Sequence, residues 1–299
     1  MSLGYSLVKL VLKLKGEKKT WSQDPIDYIK KRRQDVHVPN RRLFLGSTYE
    51  TKEHLQSKIT YITPKNIKTD ILLMYCHGGA FVYGPTQENW KALAKIAKET
   101  GARACMIDYP KAPEHTIDVI TDNVYQAYIE ATKVYNASKI ILLGDSAGGS
   151  LILTLAQRLQ REQKNTPNCL IPISPLVDAS VTNAKIPEVD VKDIILSLKG
   201  VRSANTMCAG SLSLKDPLIS PLYGECSNLP PIHLFMATDD ILTPDQELFV
   251  EKVKQNKGEI DVIVGKGMPH VWPILPIMPE AKVGLQKIIT IINSVINDK

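Results

Sequence analysis

The stretch Lys139-Ile-Ile-Leu-Leu-Gly-Asp-Ser-Ala-Gly-Gly149 decides the fold of this chain. It begins with an apolar run of strand length, residues 140–143, and a helical pattern follows it over residues 150–161. Between the two lies Ser146, with a glycine two positions before it and another two positions after it. A hydroxyl that must stand clear at a sharp turn leaves no room for side chains at those positions. This strand–turn–helix order is that of a G-x-S-x-G nucleophile elbow, so Ser146 is a candidate nucleophile.

The same turn could instead bind an anion or simply join a strand to a helix. A phosphate loop places a lysine and then Ser or Thr after its last glycine, and no lysine follows Gly149. Glycine and serine are common residues, so the motif alone is not specific. The choice depends on whether a base, an acid and an oxyanion site occur elsewhere in the chain.

Apolar runs of strand length alternate with helical patterns along the chain. Strands are predicted at residues 58–63, 70–76, 102–108, 140–143, 169–176, 232–237 and 260–264. Helices are predicted at residues 3–14, 24–34, 88–100, 117–135, 150–161, 191–202, 244–254 and 280–297. This alternation predicts the α/β class, with a mostly parallel sheet and helices on both faces.

Two segments fall outside this alternation. Residues 1–40 hold two short helical patterns that cannot bury their own apolar faces, and Leu3, Leu7, Leu10 and Leu14 share one face of the first. Residues 178–225 form an interval too long for an ordinary connection. We therefore predict an N-terminal cap arm (1–40) and a core (41–299) with a cap insertion at about 178–225. The leucine stripe is expected to pack within the cap, with membrane anchoring as the alternative.

Composition narrows the class of protein. With 299 residues and 43% hydrophobic content the chain can bury a large core, and no apolar run approaches the 18 residues of a membrane span. The N-terminal apolar run is interrupted by lysines and lacks a small-residue cleavage site, so we expect a cytoplasmic protein. Five cysteines, an odd number without a Cys-x-x-Cys pair, suggest neither a disulfide framework nor a zinc site, and reduced, mostly buried thiols are expected.

The net charge of +6 is concentrated at one end of the chain. Residues 1–52 hold twelve Lys/Arg against five Asp/Glu, which leaves 25 against 26 for the remainder. The basic clusters match no nucleic-acid-binding module, so no nucleic-acid partner is expected. A solvated helical face is the preferred interpretation, with contact to an anionic membrane surface as the alternative.

The remaining catalytic groups can be placed by chain order. His270 follows a late strand in a glycine-containing loop and is the candidate base, while Asp239 and Asp240 follow the strand 232–237. Either could be the acid, and Asp240 is preferred, which gives the order Ser146, Asp240, His270 of an α/β-hydrolase. Small residues after the strand 70–76 offer backbone N–H groups for an oxyanion hole. The candidate donors are Gly78, Gly79, Ala80 and, beside the serine, Ala147.

With these motifs the sequence resembles the hormone-sensitive lipase-like esterases and lipases of the α/β-hydrolase fold. The matching stretches are His77-Gly-Gly-Ala-Phe81, Tyr109-Pro-Lys-Ala-Pro-Glu-His115, Gly144-Asp-Ser-Ala-Gly-Gly149, Ser220-Pro-Leu-Tyr-Gly224, Leu229-Pro-Pro231, Asp240-Ile-Leu242 and the His270 loop. They occur in the family's order over residues 70–280. The chain departs from the pattern at Pro110-Lys111, where the family has Arg-Leu, so support of the elbow by that arginine is missing.

The resemblance implies an eight-stranded sheet under a helical cap, with Ser146 as nucleophile, Asp240 as acid and His270 as base. It implies a carboxylic ester hydrolase that acts on small to medium acyl esters through an acyl-serine intermediate, without a cofactor. An amidase, peptidase or lactonase with the same triad, and a non-catalytic small-molecule receptor, remain alternatives. A homodimer that pairs through a sheet edge is the oligomer that the resemblance suggests.

Overall fold

The computed structural model describes residues 2–275 and 278–297, and the side chain of Leu3 is outside that description. The predicted segments 1–40 and 41–299 therefore include a few residues that lie outside the described part. The strands are β1 (Ser47–His54), β2 (Ser57–Pro64), β3 (Leu72–Cys76), β4 (Arg103–Asp108), β5 (Ile140–Asp145), β6 (Cys169–Ile173), β7 (Ile232–Ala237) and β8 (Ile260–Gly265).

These strands form one eight-stranded sheet in the order β1-β2-β4-β3-β5-β6-β7-β8. β2 is antiparallel to both of its neighbours, and every pair from β4 to β8 is parallel. The central strand is β5, the strand that leads into the elbow. Because parallel strands end at the same edge, β3, β5, β6, β7 and β8 bring the loops that follow them close together. The predicted fold class is confirmed.

Helices connect and cover the strands. They are α1 (Leu3–Leu14), α2 (Glu17–Thr20), α3 (Tyr28–Lys31), α4 (Gln87–Thr100), α5 (Ile117–Thr132), α6 (Ala147–Arg161), α7 (Ile186–Asp190), α8 (Leu198–Ala209), α9 (Thr243–Gln255) and α10 (Pro279–Asn297). None of the helices in the described residues is both long and apolar enough to cross a membrane.

The core lies on both faces of the sheet. In β3 every residue is buried, and alternate side chains enter two different clusters: Leu72, Met74 and Cys76 on one face, Leu73 and Tyr75 on the other. This period of two explains why the strand reads as a continuous apolar run. All five cysteines are buried and unpaired, as predicted.

Several predicted boundaries are wrong for physical reasons. β1 was not predicted, because it is an edge strand whose residues are mostly polar and exposed. The strand predicted at 169–176 ends at Ile173, since Ser174 has a φ of 46°. The helix predicted at 191–202 begins only at Leu198, and the helix predicted to begin at 24–25 begins at Tyr28, capped by Asp27.

The N-terminal segment and the insertion between β6 and β7 contact each other. A Cβ on Gly200 of α8 would lie 1.9 Å from the carbonyl oxygen of Trp21, so the two backbones touch. The N–H of Ile26 donates to Ser203 Oγ at 3.0 Å, a buried bond between the segments. Lys18 Nζ donates to the carbonyl oxygen of Asp193 at 3.0 Å. Both segments lie over the edge of the sheet at which β5 ends.

Candidate active site

The elbow places Ser146 in a backbone conformation that the fold must enforce. Its φ is 53° and its ψ is −120°, a region that costs a non-glycine residue of order 1–3 kcal/mol. A Cβ on Gly144 would lie 2.3 Å from the carbonyl oxygen of Gly148, and one on Gly148 would lie 2.0 Å from that of Cys76. Both glycines are therefore required by close backbone approach, as their spacing around the serine predicted.

The imidazole of His270 contacts Asp240 and not Asp239. His270 Nδ1 lies 2.8 Å from Asp240 Oδ2, and Asp240 Oδ1 accepts a bond from the N–H of Leu242 at 3.0 Å. The Asp240 side chain is fully buried. Asp239 is partly exposed, and among the described residues its carboxylate accepts a single long bond, 3.3 Å, from the Thr238 hydroxyl. This geometry favours Asp240 as the partner of the imidazole.

Backbone bonds between two loops hold the histidine in place. The N–H of Asp239 donates to the carbonyl oxygen of Met268, and the N–H of Gly267 donates to Thr238 Oγ1. Directly after the histidine, the N–H of Val271 donates to Ser174 Oγ. The loop after β8 is thus hydrogen-bonded to the residues that directly follow β6 and β7.

The loop after β3 turns its backbone toward the elbow. The N–H of Gly78 donates to Asp145 Oδ1 at 3.0 Å and is therefore already used. Gly79 has a φ of 116°, and a Cβ there would lie 2.1 Å from the carbonyl oxygen of Tyr83. Within the described part of the chain, the N–H groups of Gly79, Ala80 and Ala147 donate to no protein acceptor. These three groups are the available oxyanion donors.

Asp145, the residue before the serine, organises this loop from beneath. Its Oδ1 accepts bonds from the Tyr75 hydroxyl at 2.8 Å and from Asn89 Nδ2 at 2.9 Å, in addition to the Gly78 bond. Burial raises the pKa of the Asp145 carboxyl, while these bonds and nearby imidazoles oppose the rise. The sequence analysis assigned no role to Asp145. A carboxylate at the end of an apolar strand does, however, indicate a buried charge that needs hydrogen-bond partners.

His77 braces the same loop. Its ring stacks on Tyr109 with centroids 4.2 Å apart and planes 9° apart, and the Tyr109 hydroxyl donates to the His77 carbonyl oxygen at 2.6 Å. His77 Nδ1 lies 2.6 Å from the carbonyl oxygen of Gly78. The ring is completely buried. These contacts give His77 a structural role in the loop.

An arginine from the N-terminal segment holds the loop in which the family's usual arginine is missing. Arg32 donates to the carbonyl oxygens of Val82 and Ala112, at 2.8 Å each, and forms two bonds with the Glu114 carboxylate. Lys111 lies where the sequence departs from the family pattern, and its Nζ donates to Asp108 Oδ1 at 2.5 Å. The sequence alone gave no sign that residue 32 would lie there.

A cavity of about 700 Å³ lies over the elbow. Ser146, His270 and the Gly78–Ala80 loop line its floor. Its walls are largely apolar and come from the two segments above the sheet: Leu7, Val8, Val11 and Leu12 from α1, and Ile195, Leu196, Val201 and Asn205 from the insertion. The structure thus brings the predicted serine, histidine and small-residue loop to one cavity, with Asp240 behind the histidine.

Asp193, in the insertion, is a buried carboxylate that sequence reasoning missed. Its Oδ2 accepts the N–H of Ile241, the residue after Asp240, at 3.0 Å. Its Oδ1 accepts the N–H groups of the cavity-wall residues Ile195 and Leu196 at 2.8 and 2.9 Å. Burial and the nearby Asp240 carboxylate raise the pKa of Asp193 to about 7. One carboxylate therefore joins the cavity wall to the turn that carries Asp240.

These charges predict the pH dependence of the site. Burial alone lowers the pKa of His270, but the carboxylates of Asp240 and then Asp193 and Asp145 outweigh it and raise that pKa above 6.5. An imidazole that acts as a base must be neutral, so with His270 in that role we expect activity to be lost as the pH falls through the raised pKa. We expect the acid limb of a kcat/KM profile to have its midpoint above pH 6.5.

Asp193, whose own pKa is about 7, is partly ionised in this pH range and then raises the His270 pKa, so the Asp193→Asn variant should move the midpoint modestly to lower pH. The exposed Glu188→Gln, in the same insertion, is the matched control and should leave the midpoint unchanged, because exposed charges are screened. The same midpoint in Asp193→Asn and in the parent protein would contradict this account of the site's charges.

Among the described residues, no group of three or more His, Cys, Asp or Glu side chains is arranged to hold a metal ion. A serine at an elbow, an imidazole fixed by a buried carboxylate and free N–H donors are the parts needed for acyl transfer.

Comparison with known proteins agrees with a site for acyl transfer. The sequence pattern of the alpha/beta hydrolase fold matches residues 73–274, and the chain belongs to that family. It is 30% identical over 223 residues to an esterase of Acinetobacter venetianus, a match that covers 73% of each chain. It is 28% identical over 230 residues to the carboxylesterase/phospholipase LipF of Mycobacterium tuberculosis, covering 73% of this chain and 60% of that protein.

Solved structures include similar molecules. An esterase of the bacterial hormone-sensitive lipase family superposes with a TM-score of 0.79 at 25% identity, over 91% of this chain and 97% of that one. The resemblance seen in the motifs is thereby confirmed. The chain is an enzyme, a hydrolase of the esterase and lipase type with the α/β-hydrolase fold.

Proposed function

We propose that this protein is a carboxylic ester hydrolase that uses Ser146 as nucleophile, His270 as general base and Asp240 as the acid that orients the base. The observation that carries the proposal is the 2.8 Å contact between His270 Nδ1 and the buried Asp240, at a cavity whose floor is the Ser146 elbow. The acid contact fixes the proton on Nδ1 and leaves Nε2 free to accept one.

The proposed reaction has two halves. Ser146 Oγ attacks the ester carbonyl while His270 Nε2 takes its proton, and the resulting imidazolium then protonates the leaving alcohol. Water, deprotonated by the same nitrogen, attacks the acyl-serine; the acyl–oxygen bond then breaks, the imidazolium returns the proton to Ser146 Oγ, and the acid is released. The positive imidazolium that forms in each half is stabilised by the Asp240 carboxylate, which itself stays ionised.

The proposed oxyanion hole consists of the N–H groups of Gly79, Ala80 and Ala147. The Gly78 N–H, a candidate on sequence grounds, is a weaker candidate because Asp145 accepts it. Instead, this bond fixes the loop so that the next two N–H groups can point at the oxygen. Each such donor is typically worth ~10²–10³ in turnover.

The cavity limits the substrate that we propose. A largely apolar space of about 700 Å³ admits a small to medium acyl chain and its alcohol, and Lys15, Glu17 and Glu88 are charged residues within an otherwise mainly apolar lining. The proposed partner is therefore a small-molecule ester, with no cofactor and no nucleic acid involved. We further propose that residues 1–40 and 178–225 act as the cap that sets pocket size.

The proposal extends to the cellular compartment and the oligomeric state of the protein. Five unpaired, buried cysteines suit a reducing compartment, so we propose that the protein acts in the cytoplasm. The homodimer suggested by the resemblance would pair through an open sheet edge, and β8 is such an edge.

A substrate panel tests the proposed function. We expect hydrolysis of p-nitrophenyl acetate, butyrate and octanoate, and little or no turnover of matched anilides and lactones. Faster turnover of anilides or lactones than of esters would favour the amidase or lactonase alternative. Binding of the esters without turnover, and no labelling by a fluorophosphonate, would favour the receptor.

A further inference from the structure

The first helix, α1, exposes a continuous apolar stripe. Its residues Leu7, Leu10, Val11 and Leu14 are 54%, 53%, 39% and 78% exposed. Their spacing of three and four places them on one side of the helix, at about 100° per residue. The opposite side carries Tyr5, Val8 and Leu12, which pack against the core. Leu7, Leu10 and Leu14, which were predicted to pack within the cap, are thus largely exposed to solvent.

Positive charge flanks the stripe. Lys9 and Lys13 follow it along one side of the helix, and Lys15 lies on the other at the helix end. Residues 2–16 contain no Asp or Glu. Within the described part of the chain none of these three lysines forms an ion pair. An apolar stripe between unpaired lysines is the arrangement of a helix that lies in the interface of an anionic bilayer.

The stripe also continues into the cavity. Leu7 and Val11 are partly exposed and at the same time line the wall of the cavity above Ser146, as does Lys15. Leu10 and Leu14 lie on the outer part of the stripe and do not line it. A surface on which α1 rests would therefore meet the molecule beside the entrance to the cavity.

We propose that α1 is a docking surface for an anionic phospholipid bilayer, with Leu10 and Leu14 entering the acyl-chain boundary and Lys9 and Lys13 reaching the phosphates. Charge complementarity selects this occupant over a second copy of the chain, because two lysine-flanked stripes would repel each other. Where the proposed ester hydrolysis holds, the docked enzyme takes up membrane-dissolved acyl esters; docking itself does not depend on catalysis.

Cosedimentation with vesicles tests the docking. We expect the full chain to bind vesicles of phosphatidylcholine with one-third phosphatidylglycerol and to bind pure phosphatidylcholine at least about tenfold more weakly. Leu10→Glu/Leu14→Glu should lose at least about tenfold in binding to the anionic vesicles. Val134→Glu, a change at a residue as exposed as Leu14 but outside α1, should bind like the parent protein.

A second variant separates a loss of docking from an effect of the substitutions on folding. Lys9→Gln/Lys13→Gln keeps the apolar stripe and should weaken binding to anionic vesicles by roughly fivefold per lysine. Hydrolysis of soluble p-nitrophenyl acetate should be unchanged in both α1 variants. Equal binding of the parent to neutral and anionic vesicles, or unchanged binding in the two variants, would overturn the proposal.

If a second copy of the chain, and not a bilayer, covers the apolar stripe of α1, the result will differ. A dimer in solution that dissociates in Leu10→Glu/Leu14→Glu would show that a second copy covers the stripe, and would also overturn the proposal. Because vesicle binding is measured without turnover, Ser146→Ala should dock like the parent protein. Docking by a catalytically inactive parent would contradict the proposed function alone, whereas activity without docking would contradict this inference alone.

Discussion

Ser146→Ala is expected to lower kcat for p-nitrophenyl butyrate by roughly 10⁴- to 10⁶-fold, because no other group at the elbow can form the acyl intermediate. What remains should reflect the oxyanion donors and substrate binding, so KM should change little. The alanine fits the site, since it only removes an oxygen at a position whose backbone is fixed by its glycine neighbours. The change should leave the thermal midpoint of unfolding close to that of the parent.

Steady-state kinetics and a thermal melt make this measurement. Ser138→Ala, at an exposed serine just before the start of β5 and so at the opposite end of that strand from the elbow, is the control and should keep full activity. A folded Ser146→Ala enzyme that retained a tenth or more of the parent activity would rule out Ser146 as the nucleophile.

Asp240→Asn is expected to lower kcat by about 10⁴-fold while KM stays within a few-fold. The amide can donate to His270 Nδ1, which favours the tautomer with its proton on Nε2, where the base must be free. The neutral amide also cannot stabilise the imidazolium. Because Asp240 is fully buried and bonds to the N–H of Leu242, a modest loss of thermal stability is expected as well.

Asp239→Asn is a closely matched control for this variant. It makes the same chemical change one residue earlier, at a carboxylate that is partly exposed and makes no contact with the imidazole. We expect near-parent kcat and a near-parent melt. If Asp239→Asn lost activity and Asp240→Asn retained it, the assignment of the acid would have to be reversed.

Much of the fold could be predicted because apolar periodicity reports burial directly. The strand at 232–237 and the first helix were predicted with their observed bounds, since each has a clear pattern with marked ends. β1 could not be predicted, because an exposed edge strand is stabilised by pairing with β2 and carries no apolar signal. In the insertion, the N–H groups of Ile195 and Leu196 donate to Asp193 Oδ1, so these residues form a turn ahead of α8, which begins at Leu198.

The residues of the candidate site also fall into two groups, those with a local sequence pattern and those placed by long-range contacts. Ser146 and the small-residue loop have a steric signature in the sequence, whereas the choice between Asp239 and Asp240 depends on which way two adjacent side chains point. Long-range contacts leave no local pattern. Arg32 reaches a loop some eighty residues away and Asp193 reaches the turn after β7, so both became visible only in the folded chain.

The central claim is that Ser146 is the one serine activated for acyl transfer, and mass spectrometry after treatment with a fluorophosphonate tests it most directly. The account predicts one adduct per chain, located on the peptide that contains Ser146, with loss of esterase activity in proportion to labelling. It also predicts no adduct in Ser146→Ala and a much slower reaction in Asp240→Asn. Inactivation with the adduct on another residue, or full ester turnover by a protein labelled at Ser146, would contradict it.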